Sequence, residues 1–224
     1  MSNTRDVLLN GAVGVVTLCT VTLTAMTLFR DVGGSTRPLP SGREPPVLIE
    51  DWQELKSAGH RFGPEDADVT VVTFSDFECP VCRSFAVTTF PDFARRYPGR
   101  IALVYRHWPL TRHRFAYPAA RASECAAAQG RFAEFHDAVY AQQDQLGLKT
   151  LREFAAEAGV PDLDTFDSCY ESSEPVPSIE RDIEAVRNIG GTGTPTVIVN
   201  GWLLRGGASP QVLDSISQQF LSRT

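Results

Sequence analysis

Basic side chains are in deficit in this 224-residue chain: 21 Lys and Arg stand against 27 Asp and Glu, a formal net charge of −6, which excludes a basic nucleic-acid binder. Methionine is scarce, with two residues, and histidine nearly so, with four; no Met- or His-rich segment suited to carrying soft copper exists. There is no second C-x-x-C, and the one histidine pair near ligand spacing, His107 and His113, stands at the H-x₅-H limit; no metal site is expected. No motif for flavin or nucleotide occurs, and no cofactor is expected. Five cysteines are too few for a disulfide scaffold. With 42% hydrophobic and 21% charged residues the chain is neither a disordered tail nor a fibre.

One long apolar run stands out. From Val7 to Phe29 the chain reads VLLNGAVGVVTLCTVTLTAMTLF without a charge, and a bilayer core needs about 20 such residues. A cleaved signal peptide is the alternative, with a cut near Ala25, but the run is long for one and MSNTRD is a weakly basic start. An uncleaved anchor over 7–29 is expected, preceded by a cytoplasmic stub (1–6). Arg5 before the span and Arg30, Arg37 and Arg43 after it run against the positive-inside tendency. Orientation therefore has to be read from the cysteines. Residues 31–46, rich in Gly, Pro and Ser, read as an extended linker, the first part of a linker and entry segment over 30–65.

In the remainder, Val69 to Phe74 (VTVVTF) and Ile101 to Tyr105 (IALVY) have the composition of strands buried on both faces. Pro80 to Tyr97 between them is helix-like, with a break expected near Pro91, so the strands should be parallel. TVIV (196–199), Asn200-Gly201 and WLLR (202–205) read as a hairpin, because Asn-Gly supplies the positive φ values of a type I′ turn. Ser209-Pro210 opens a last helix. The middle is helical: Phe132, Phe135, His136, Val139 and Tyr140 share one face, and Thr150 to Glu153 is a capping box. A mixed α/β sheet with a helical insertion follows.

The chemistry-bearing motif is Cys79-Pro80-Val81-Cys82, placed where a strand gives way to a helix. Free N–H groups at a helix start stabilise a thiolate, so Cys79 is expected to have a depressed pKa and act as nucleophile. Cys82, one turn inward, would resolve the mixed disulfide. Half a zinc site and a structural short-range pair are the competing readings.

VVTFSDFECPVCRSF, YRHWPLTRH (105–113), ECAAAQGRFAEFHDAVY (124–140) and GGTGTPTVIVNG (190–201), in this order, resemble the DsbA-like thiol:disulfide oxidoreductases over about residues 66–222. The resemblance implies a thioredoxin-like domain (66–112 and 188–224) with an inserted all-helical domain (113–187). It implies that Cys79 is the exposed nucleophile and Cys82 its buried partner. Thr194-Pro195 matches the family's loop with a cis-proline facing the cysteines; a cis peptide costs little only before proline. That loop can offer the backbone of Thr194 to an extended substrate. Some relatives also carry a second disulfide in the insertion, which implies a Cys125–Cys169 pair. The even cysteine count outside the apolar run agrees with it, two buried free thiols being the alternative.

The pattern departs from the family at Thr73, six residues before Cys79, where many relatives have a buried acid that takes the proton of the second thiol. Water, or Asp76 or Glu78 from the surface, is expected to substitute. His107-Trp108 and His136 read as packing residues. The expected function is disulfide donation to reduced or unfolded secreted proteins by a monomeric, single-pass cell-membrane protein with its domain outside the cytoplasm, reoxidised by a quinone-linked membrane partner. The alternatives are an isomerase or reductase and, from another class, a thiol-based copper carrier or a holdase.

Overall fold

The computed structural model describes residues 45–205 and 208–222. The apolar run 7–29 and the first part of the linker lie outside the described residues, and no helix among those described is long and apolar enough to cross a membrane. Six strands form one sheet: β1 (Val47–Leu48), β2 (His60–Phe62), β3 (Val69–Ser75), β4 (Ile101–His107), β5 (Thr196–Val199) and β6 (Trp202–Leu204), in the order β1-β6-β5-β3-β4-β2. β3 and β4 run parallel in the register Val71↔Leu103, and the other pairs are antiparallel.

Every residue of β3 and β4 is buried, because helices cover both faces. Val69 and Val71 point to one side with Leu103, Val197 and Val199, against Phe85, Phe93, Leu213 and Leu221. Val72 and Phe74 point to the other with Val104 and Ile198, against Leu55 and Val186. The period of two along a strand thus feeds two cores. The helix after β3 is continuous from Pro80 but changes pitch: α2 (Pro80–Ser84), a π-helical stretch Phe85–Thr89, then α3 (Phe90–Arg96). The expected break at Pro91 is therefore a widening just before a proline that cannot donate its N–H. In the β5–β6 turn Asn200 and Gly201 have φ of +42° and +92°. Asn200 also ties the hairpin to β3, its side chain accepting from Thr70 N and donating to Asp68 O, both at 2.8 Å.

Two expected boundaries move. The sheet domain does not begin at residue 66: β1, α1 (Trp52–Ser57) and β2 fall within the expected linker and entry segment 30–65, and the two strands hold the sheet edges. Strands of two and three residues leave no periodicity to read. The helical insertion comprises α4 (Ala116–Ala127), α5 (Phe132–Ala141), α6 (Leu151–Glu157) and α7 (Leu163–Tyr170). The next helix, α8 (Pro177–Asn188), was expected to complete it, yet lies on the sheet. Its inward face is Ile179, Asp182 and Val186, and Asp182 meets Arg106 of β4 in a buried ion pair, N···O 2.5 Å. A buried carboxylate is what a hydrophobic pattern misreads. The last helix, α9 (Pro210–Leu221), is capped by Ser209.

Candidate active site

β3 delivers the chain through Asp76, Phe77 and Glu78 to Cys79, which is the residue before the first turn of α2, with extended φ and ψ of −77° and 119°. Pro80 occupies the first helical turn, where its missing N–H is no loss. Across from the dithiol, the Thr194–Pro195 peptide is cis, and Cys79 Sγ lies 3.4 Å from the Thr194 carbonyl oxygen, which accepts from it when the thiol is protonated. Cys79, Cys82 and Thr194 therefore meet in one place.

The two thiols are driven apart in acidity. The Cys79 pKa is lowered from 9.0 to about 5, first by a hydrogen bond from the Cys82 thiol, then, against the opposing effect of burial, by Thr194 and the backbone N–H groups of Cys82 and Val81. The helix start contributes as expected, but the neighbouring thiol contributes more. Burial pushes the Cys82 thiol strongly upward, and its role as donor to Cys79 adds to that. One sulfur is an anion at neutral pH and the other a proton-bearing thiol beside it.

Cys79 is not the exposed residue the resemblance implies. It is 4% exposed and Cys82 1%; the solvent-facing member of the motif is Val81, at 62%. The loop is enclosed because the helical insertion grips it. Gln143 Nε2 donates to the carbonyls of Phe77 and Cys79, at 2.7 and 3.0 Å. Arg83 donates to the carbonyls of Tyr140 and Ala141, at 2.9 and 3.1 Å, and Tyr140 OH donates to the Asp76 carbonyl at 3.2 Å. None of these residues was legible as part of the site, since a polar QQDQ run and a lone arginine give no signal of long-range pairing.

Thr73 is buried and shares a 3.0 Å hydrogen bond with Ser75, neither offering a carboxylate. Asp76 does not stand in from the surface. It is 1% exposed, and its carboxylate accepts from Glu78 N, Leu110 N and His113 Nδ1 at 2.7–2.8 Å. Glu78 is occupied by Phe115 N at 2.5 Å. Both carboxylates shape the loop that carries the dithiol. His136 is buried as expected and pairs through Nδ1 with Asp137 at 2.8 Å, while its Nε2 has no partner; burial lowers its pKa. Cys125 of α4 and Cys169 of α7 are joined as a disulfide, Cα–Cα 5.8 Å, inside the insertion and apart from the redox pair.

A mixed sheet with a dithiol at a helix start and a cis-proline loop facing it defines a thioredoxin-type thiol–disulfide centre. The sequence model of the Thioredoxin (Thioredoxin_4) family matches residues 56–217, and the chain belongs to that family. A thioredoxin-like oxidoreductase from Silicibacter pomeroyi DSS-3 superposes with a TM-score of 0.64 at 26% identity, covering 77% of this chain and 98% of its own. Pseudomonas aeruginosa DsbA2 does so with 0.57 at 26% identity, covering 73% and 94%. A Herminiimonas arsenicoxydans protein named Na(+)/H(+) antiporter NhaA is 34% identical over 95% of this chain. The chain spans about a third of the length of that relative and about a quarter of the next ones, 33% and 24%.

Proposed function

We propose that this chain donates disulfides to reduced or unfolded secreted proteins, outside the cytoplasm, as a membrane-tethered oxidase. The observation that carries the direction is the Cys79 pKa of about 5. A stabilised thiolate stabilises the reduced dithiol, and a pair whose reduced form is stabilised is an oxidant. In the step, a client thiolate attacks Sγ of Cys79 in the Cys79–Cys82 disulfide, and Cys82 leaves and takes a proton. A second client thiolate then attacks the client sulfur of the mixed disulfide, and Cys79 leaves as thiolate. The client loses two electrons and the dithiol gains them. Thr194 offers backbone to the client, and exposed Val81 offers apolar contact.

Reoxidation falls to a quinone-linked membrane partner, and residues 7–29 supply the tether. Likeness to a region of a protein named as a sodium–proton antiporter supports a membrane setting for this domain. The test mixes the oxidised full chain with a reduced, unfolded, cysteine-containing client. Stoichiometric disulfide formation, with the dithiol more oxidising than the glutathione pool, is expected. Reshuffling of scrambled disulfides without net oxidation would replace this reading with an isomerase.

A further inference from the structure

Away from the dithiol, three chemistry-bearing side chains from distant parts of the chain converge. His60 opens β2, His107 closes β4 and Glu124 lies in α4. His60 Nε2 is 2.5 Å and His107 Nε2 2.9 Å from the same oxygen, Glu124 Oε1, and one ligand-type atom from each residue lies within 4.8 Å of the others. No other such group of His, Cys, Asp and Glu occurs among the described residues. The three are held in place. The His60 ring stacks on Phe132, centroids 3.4 Å apart and planes within 9°. Ser178 Oγ donates to Glu124 Oε2 at 2.7 Å, leaving Oε1 for the histidines.

The cluster borders a cavity of about 170 Å³ also lined by Arg106, Arg181 and Asp182. Its arginines are engaged elsewhere: Arg106 with Asp182 and the Leu55 carbonyl, Arg181 with the Pro177 carbonyl. The His107 side chain is sealed at 1% exposure, whereas those of His60 and Glu124 reach solvent at 25% and 18%, so one side of the cluster is open to water. We propose that His60 Nε2, His107 Nε2 and Glu124 Oε1 bind a divalent cation of the zinc class, with water from the cavity as fourth ligand. Around zinc at 2.0–2.1 Å, tetrahedral ligands stand roughly 3.3 Å apart, so each imidazole nitrogen has to withdraw from Glu124 Oε1 by less than about 1 Å, while the two nitrogens, within 4.8 Å of one another, settle to that same spacing. Two imidazoles and one carboxylate select zinc over calcium and magnesium, which want oxygen alone. The ion would pin the edge strand β2 to α4 beside the Cys125–Cys169 bridge. It escaped the sequence reading because its ligands are 47 and 17 residues apart.

The test uses the full-length chain in detergent with Cys79 and Cys82 oxidised, so that thiolates cannot bind the probe. Titration with zinc chloride is expected to show one equivalent bound, and His60→Gln and Glu124→Gln are each expected to lose at least roughly 100-fold in affinity, beyond what outer-sphere changes cost. Circular dichroism checks that the variants fold. Cobalt(II) on the unmodified chain gives an independent readout, a tetrahedral visible band without thiolate charge transfer. Absence of stoichiometric zinc binding, undiminished affinity in both folded variants, or a preference for calcium would each overturn the site.

Discussion

The carbonyl oxygen of Thr194 lies 3.4 Å from the Cys79 sulfur, so the loop proposed to offer backbone to a client is in contact with the atom that client would have to reach. Capture and chemistry are separated by one hydrogen bond. Cys82→Ser should therefore hold a reduced client through a mixed disulfide at Cys79, visible by mass spectrometry and released by reductant, while Cys79→Ser should hold none. Trapping by Cys79→Ser through Cys82 would reverse the assignment of roles.

The acidity of Cys79 gives a pH signature. Alkylation of the reduced protein by iodoacetamide should follow a single titration with its midpoint near pH 5, at Cys79 alone. Because the largest contribution comes from the Cys82 thiol, Cys82→Ala should raise that midpoint clearly and Cys82→Ser, which keeps a donor, by less. A midpoint near 9 in the unmodified chain would remove the argument for an oxidase.

The same shift links to stability. The Cys79 pKa is about 5 folded and 9.0 unfolded, so below pH 5 both states hold the proton and the thiol adds nothing. Between pH 5 and 9 the unfolded state binds more protons, and stability of the reduced form rises with pH. Above 9 the gain from Cys79 levels off, while Cys82, raised in the fold, begins to subtract. Urea midpoints of the reduced chain relative to Cys79→Ser should diverge over that window and converge at pH 4.

The Cys125–Cys169 bridge closes a separation of 44 residues, for which chain entropy predicts about 4 kcal/mol. Replacing both cysteines by Ala should lower the free energy of unfolding by about that amount, seen as a lower denaturation midpoint, and leave thiol exchange at Cys79 intact. An unchanged midpoint would mean that the packing of α4 on α7 is sufficient alone.

Arg106 and Asp182, 3% and 4% exposed, form the ion pair that fastens α8 to the sheet. Asp182→Ala leaves a buried guanidinium unpaired and should cost about 3–5 kcal/mol. The double change Arg106→Met with Asp182→Leu should recover much of it by the same reasoning, read as unfolding midpoints.

How much of this was legible follows from which forces leave a local trace. β3, β4, the Asn200-Gly201 hairpin and the Thr150–Glu153 capping box are written in short-range pattern, and all are present. So is the place of Cys79 at a helix start. What failed depended on contacts between distant segments. Asp76 reads as a surface acid until Leu110 and His113 arrive to bind it. Gln143 and Arg83 acquire their meaning only when the insertion folds over the dithiol. β1 and β2 exist only because β6 and β4 supply partners.

Those two short strands have a bearing on the company this domain keeps. An open sheet edge is a template on which an extended chain can add further strands, and a domain with the proposed function would meet such chains constantly. With three residues of β2 along one flank and two of β1 along the other, the templates are too brief to hold a visitor. On the proposed function, extended segments would thereby be turned away from the flanks, leaving the Thr194 loop as the place for them to dock.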